Sequence, residues 1–328
     1  MVNGPRTRVA ARTTRTRLSL VPSGIALAAT LFGATASAQT APLLNGYGGP
    51  AGFGVDAMPR GDDLSSAEIA LAPSFPGGIM LNGRNYSSVF VNINGNLSFG
   101  ALLSAFTPTA FPGATVPIVA AWWADVDTRL ADAGVETDGV YWHTEAGLMV
   151  ATWYNVGYFD LHRDRLNSFQ IVLRDASTTG GVSGDVDIQF RYNRCEWTTG
   201  DASGGDSGLG GTIAGAGYDF TSVLGGSSTA FSVLPGSLTP AVLDLCTDSN
   251  VAAPGIWELQ IRAGVVTYCG NGTVDPGEQC DPTAAPLPSC TPDCRFCTPT
   301  TCPDAGMPDV FVPVDVPVDV PVDVPVDV

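Results

Sequence analysis

An all-β, antiparallel β-sandwich is the fold class predicted for residues 39–268, and three observations predict it. The run Asp185–Tyr192 alternates without a break, with Val186, Ile188, Phe190 and Tyr192 on one face and Asp185, Asp187, Gln189 and Arg191 on the other. A period of two marks a strand buried on one side. Asn94-Gly95 separates the apolar alternations Ser88–Ile93 and Asn96–Phe99, and that residue pair best suits a type I′ hairpin turn. Many short apolar runs lie between Gly-rich turns while helical periodicity is nearly absent, which is the pattern of a sandwich in one all-β domain.

The elements follow in chain order. Residues 1–38 read as a secretory signal peptide. Arg6, Arg8, Arg12, Arg15 and Arg17 precede the apolar stretch Ile25–Phe32, and Ala36-Ser37-Ala38 supplies the small residues of a cleavage site. Pro22 and Gly24 break that stretch, which leaves it too short to span a membrane. No later apolar run is long enough to do so, so the mature chain is expected to be exported and soluble. Leu64–Leu71 is the one segment with a short helical pattern. After the hairpin at Asn94-Gly95, Gly139–His143 and Leu148–Tyr154 flank Glu145-Ala146-Gly147 as a second hairpin. Ser168–Arg174 and Asp185–Tyr192 are further strands, and Ile256–Arg262 with Val265–Tyr268 closes the domain.

Residues 269–302 carry Cys269, Cys280, Cys290, Cys294, Cys297 and Cys302 in a stretch too short for a core of its own, so disulfides must hold it. Zinc at Cys294–Cys297 is the weaker alternative in an exported chain. Six cysteines allow fifteen pairings, which spacing does not resolve. Cys195 and Cys246 are the two others and are expected to pair with each other. Residues 303–328 form a low-complexity tail repeating Val-Pro-Val-Asp. Its prolines remove backbone donors, which favours an extended spacer of about 60 Å from Val310 to Val328.

Charge narrows the function. All 15 basic residues are Arg, against 32 acids, for a net charge of −17; losing the Arg-rich leader makes the chain more acidic still. Such a surface repels phosphate, which argues against nucleic acid and anionic membranes as partners. Without lysine there is neither P-loop nor Schiff-base chemistry, and two histidines, His143 and His162, leave little room for His-based catalysis.

Several ordered segments carry a family resemblance. Pro117-Ile-Val-Ala-Ala-Trp-Trp-Ala-Asp-Val-Asp-Thr-Arg129, Gly139–Trp142 and Val150–Val156 come first. Asn167–Leu173, Asp187–Tyr192, Trp197–Gly200 and Ala214–Tyr218 follow in order. Together they resemble the NIDO domain, an extracellular domain first described in nidogen. Gly61-Asp62-Asp63 and Val89–Phe99 resemble the segment that precedes it. The resemblance covers most of residues 45–265 and implies a non-catalytic, adhesive or matrix-type module with an extracellular protein or glycan ligand. Separately, Cys269–Asp281 is similar to a cysteine-rich repeat of bacterial exported proteins, departing from it at Pro282–Pro286.

The remaining constellations have plainer readings. Gly205-Asp206-Ser207-Gly208 matches a serine-protease string, but it lies in a Gly-rich loop and lacks a base in context. Asp125 and Asp127 would share a strand face, and with Asp132 or backbone carbonyls they are calcium candidates. The plainer alternative is a solvated turn with one Asp paired to Arg129, and a catalytic carboxylate pair lacks a substrate cleft. No cofactor is therefore expected beyond that calcium alternative. The six tryptophans fit core burial better than a glycan platform. Arg60-Gly61-Asp62 matches an integrin tripeptide, and Asn85, Asn96 and Asn271 head glycosylation sequons. The resulting expectation is a secreted adhesion or surface-structure protein, with a secreted carbohydrate-binding or hydrolytic protein as the alternative.

Overall fold

The computed structural model describes residues 43–131, 137–222 and 230–262, together with residues 1 and 4 and the backbone of Val265–Thr267. The leader, Asp132, the six cysteines from Cys269 to Cys302 and the Val-Pro-Val-Asp tail lie outside the described residues.

Sixteen strands are described: β1 (Asp56–Ala57), β2 (Ile69–Ala70), β3 (Ile79–Leu81), β4 (Arg84–Tyr86), β5 (Ser88–Asn92), β6 (Asn96–Ser98), β7 (Ile118–Trp123) and β8 (Val126–Asp127), then β9 (Gly139–Glu145), β10 (Leu148–Tyr158), β11 (His162–Asp175), β12 (Val186–Arg194), β13 (Gly215–Asp219), β14 (Phe231–Val233), β15 (Ile256–Arg262) and β16 (Val265–Thr267). One sheet runs β1-β9-β10-β11-β12-β15-β16, with β8 also paired to β10. The second runs β14-β13-β7-β6-β5-β2, and β3-β4 is a separate hairpin. Neighbouring strands pair antiparallel throughout, as in Ile188 opposite Leu259 and Leu97 opposite Val119. The fold is the all-β sandwich that the alternation predicts.

The core lies between the two sheets. Val186, Ile188, Phe190 and Tyr192 of β12, Trp153 of β10 and Phe169 and Ile171 of β11 face Val89, Val91, Leu97, Val119 and Ala121 of the second sheet. Each fully buried side chain of this size contributes roughly 1.5–3 kcal/mol of transfer free energy. Two polar tips are matched across the gap: Tyr192 donates its hydroxyl to the Ala121 carbonyl at 2.9 Å and Trp153 Nε1 to the Ile93 carbonyl at 2.8 Å. Trp122 lies among Phe169, Tyr192 and Trp197, with ring centroids 6.2, 6.2 and 6.4 Å away. The outer face of β7 is also covered, because Trp123 and Ile118 pack on Leu103 and Ala114 of the long loop before it. That double burial explains why β7 reads as a continuous apolar run rather than an alternation.

Two local expectations need correction. Leu64–Leu71 is not helical: Ile93 N–H donates to the Leu64 carbonyl at 2.9 Å, Ser66 N–H donates to the Val91 carbonyl at 2.8 Å, and β2 pairs with β5. Pairing with a strand edge satisfies these backbone groups better than one isolated helical turn could. The Asn94-Gly95 hairpin forms, but with a three-residue loop, because Asn92 sits opposite Asn96. Gly95 takes φ +79° and packs so closely that a Cβ there would lie 1.8 Å from the Trp122 carbonyl oxygen. This is the three-residue hairpin with a left-handed glycine, and it leaves the Asn94 side chain at the tip.

Candidate functional site

The chain crosses between the sheets at two places that meet at one corner of the sandwich. β7 belongs to the second sheet and β8 to the first, so Ala124-Asp125 is one crossing. The segment between β1 and β2 is the other, and it carries Arg60-Gly61-Asp62-Asp63. The crossings are tied together by Gly61 N–H donating to Thr128 Oγ1 at 3.0 Å and Thr128 N–H donating to the Gly61 carbonyl at 2.9 Å. Arg60 donates to the Thr128 and Leu130 carbonyls, each at 3.2 Å. Asn94 is the third contributor: its Oδ1 accepts the Val126 N–H at 3.1 Å, and its Nδ2 donates to Asp63 Oδ1 at 2.8 Å.

This convergence brings three carboxylates together. Asp62, Asp63 and Asp125 each offer an oxygen, and these oxygens lie within 4.8 Å of one another. Asp125 is only 2% exposed, and Gly200 presses on it so closely that a Cβ would come within 2.7 Å of the Asp125 Cβ. Asp125 Oδ2 and Asp62 Oδ1 are both buried without a hydrogen-bond partner among the described residues. Burial pushes the Asp125 carboxyl up to about 7, helped by the charges of Asp62, Asp63 and Asp127. Asp62 rises to about 6, again through burial first and then its acidic neighbours. Removing carboxylates from water beside like charges disfavours the ionised form.

Asp127 is handled differently. Arg129 Nε donates to both of its oxygens at 3.0 Å, with Arg129 NH2 at 2.5 Å, Arg129 N–H at 2.9 Å and Leu161 N–H at 2.9 Å. Burial alone would raise this carboxyl, but these hydrogen bonds hold it below the usual carboxylate range. The same guanidinium reaches Asp160 Oδ1 at 3.0 Å and comes within 3.6 Å of Asp62 Oδ2. The turn is therefore not solvated. Its pairing with Arg129 is present, but Asp125 turns to Asp62 and Asp63 rather than acting with Asp127.

The other residues singled out in the sequence are placed as follows. Ser207 donates to Asp206 Oδ1 at 3.0 Å. His162 Nε2 lies 2.9 Å from Asp201 Oδ2 with its ring stacked on Tyr158, while His143 lies 3.3 Å from Glu145 and stacks on Tyr47. The structure brings neither histidine to Ser207. Trp122, Trp123, Trp153, Trp197 and Trp257 are buried, whereas Trp142 is half-buried. Asn96 is fully buried and Asn85 exposed; Asn271 lies outside the described residues. Cys195 and Cys246 form a disulfide that closes 51 residues of chain and joins the end of β12 to the Pro240–Cys246 turn. Sequence reasoning missed the site roles of Asp62, Asp63, Asn94 and Gly200. Gly61-Asp62-Asp63 was visible as a motif, but nothing in its spacing tied it to Asp125.

Comparison with known proteins agrees with this architecture. The family profile described as the nidogen-like domain (NIDO) matches residues 87–147 and 138–263, more than half of the chain. The chain is similar to human alpha-tectorin, 34% identical over 232 residues, and to chicken alpha-tectorin, 34% identical over 226 residues; each match takes in 62% of this chain and 10% of the relative. It is also similar to Drosophila melanogaster nidogen, 28% identical over 231 residues, covering 62% of this chain and 15% of that protein. The chain thus spans between a tenth and a sixth of the length of these relatives. No solved structure matches. With its two antiparallel sheets and this match, the chain belongs to the nidogen-like domain family.

Proposed function

We propose that this is a secreted, non-catalytic protein of an extracellular matrix or cell surface, whose nidogen-like domain presents a docking face for a protein or glycan ligand. The observation that carries the reading is the family match across both sheets, with relatives named alpha-tectorin and nidogen. The acidic composition supports it by disfavouring nucleic acid, and no helix among the described residues is long and apolar enough to cross a membrane. Ser207 donates to Asp206, His162 lies against Asp201 and Asp127 pairs with Arg129, which supports the non-catalytic reading. In this reading residues 1–38 direct export, the domain of residues 39–268 binds, the cysteine-rich repeat of residues 269–302 is cross-linked, and the tail of residues 303–328 is a spacer.

The test is a pull-down with the purified chain against extracellular matrix and cell-envelope fractions. It should recover a saturable partner that competes with untagged protein; recovery no greater than from a tagged control would refute the reading. A glycan array separates the carbohydrate-binding alternative. Trp142 is the one tryptophan with appreciable exposure, so glycan binding lost on Trp142→Ala would promote that alternative.

A further inference from the structure

We infer that Asp62, Asp63 and Asp125 form a calcium site that fastens the two inter-sheet crossings to each other. This inference stands apart from the identity of any docking partner. A group of acids on a surface needs no explanation, but here one member, Asp125, is only 2% exposed, and its Oδ2 has no hydrogen-bond partner among the described residues. A buried carboxylate oxygen left unpaired is costly, and such atoms in native proteins commonly face an ion or water. Asp62 Oδ1 is likewise without a hydrogen-bond partner among the described residues, although Arg129 is near. The guanidinium is committed to Asp127 and Asp160 and approaches Asp62 from the Oδ2 side. Among the described residues Arg129 is the cation nearest the trio, and its short contacts go to Asp127 and Asp160.

The donor set and its spacing fit calcium. Oxygens bound to one calcium at about 2.3–2.6 Å can stand up to about 4.6–5.2 Å apart, and the three donor oxygens lie within 4.8 Å of one another. The ligand set is hard oxygen only, and the trio carries three potential negative charges. Asp63 is pre-oriented because Asn94 Nδ2 donates to its Oδ1 at 2.8 Å. Water completes a coordination shell of six to eight, since Asp63 lies on the solvent side of the cluster.

The experiment is isothermal titration of calcium chloride into the chelator-stripped full-length chain, paired with thermal unfolding. Saturable binding at one site is expected, with Tm raised about 5–10 °C at a hundredfold excess over Kd. Asp125→Asn should weaken binding at least about 100-fold and abolish the calcium-dependent Tm increment, and Asp63→Asn should weaken it about tenfold. Should Asp125→Asn fail to fold, Asp63→Asn on the solvent side carries the test. Absence of binding up to about 10 mM calcium, above the range of weak extracellular sites, would overturn the assignment. So would equal binding of magnesium, or calcium binding that both substitutions leave intact, which would place the ion elsewhere, for instance on the Asp-rich tail.

Discussion

Asp125 and Asp127 flank Val126 and are each 2% exposed, yet burial pushes the first up to about 7 whereas Arg129 and two backbone N–H groups hold the second below the usual carboxylate range. Burial is the same on both sides of the valine, so it cannot account for the difference. What separates them is the direction each side chain takes from the crossing. Asp127 points at a guanidinium and at the Leu161 amide, whereas Asp125 points at two more acids. A buried carboxylate thus becomes a structural tie or an energetic liability according to its partners, not its depth.

The largest effect should come from breaking the tie. Arg129→Met strands the Asp127 carboxylate beneath the surface. Removing one partner of a buried pair costs about 3–5 kcal/mol; because Arg129 faces solvent, a loss of about 2–3 kcal/mol is expected here. Urea denaturation checks it. A loss no larger than that of a surface substitution would show that Asp127 finds another partner, and the contrast between the two acids would collapse.

Gly200→Ala probes the other side. Its backbone is extended, so conformation alone tolerates alanine, but the new methyl would meet Asp125 at under 3 Å from three atoms. Overpacking of this kind costs about 1–2 kcal/mol. The double variant with Asp125→Ala should recover most of it, since the obstructing side chain is then gone. Denaturation midpoints for the single and double variants measure that coupling.

Asp125→Asn in the presence of chelator is expected to be neutral or to stabilise by up to about 1 kcal/mol, because it removes an unpaired carboxylate from beside two others and keeps its shape. Asp127→Asn is the matched control. It removes the bidentate pairing with Arg129 and should cost more than Asp125→Asn under the same conditions. If the two substitutions behave alike, the partners described for the two acids do not govern their energetics.

These contrasts also show what the sequence can disclose. The face of β12 was legible from Val186 to Tyr192, because period-two alternation is local and burial on one side enforces it. β7 gave no such signal, since the Leu103–Ala114 loop covers its second face and makes both faces apolar. Leu64–Leu71 misled because its apolar spacing suits a helix, while the edge of strand β5 beside it pairs with its backbone instead. Asp127 and Arg129 could be paired on paper, being two residues apart. The Asp62–Asp63–Asp125 trio could not: it exists only because two crossings, distant in the chain, meet at one corner of the fold.

The smallest effect is the most instructive control, since it repeats the Asp127–Arg129 pairing at the surface. Glu196 accepts from Arg194 Nε at 2.8 Å and from Leu166 N–H at 2.9 Å, with more than a third of each charged side chain exposed. Burial is the largest single influence and raises its carboxyl, but the hydrogen bonds from Arg194 and the Leu166 amide, with the charges of Arg194 and Arg165, together outweigh it and lower the carboxyl below its ordinary value. A carboxyl lowered on folding stabilises above its unfolded value near 4.5, and that contribution fades as pH falls through the folded value. Glu196→Gln should therefore cost only about 0.5 kcal/mol at pH 7, allowing for solvent screening, and nothing at acid pH where wild type has lost the same contribution. Raising salt at pH 7 should shrink the difference further, whereas the penalty of Arg129→Met should persist, because the Asp127 carboxylate is shielded from the electrolyte.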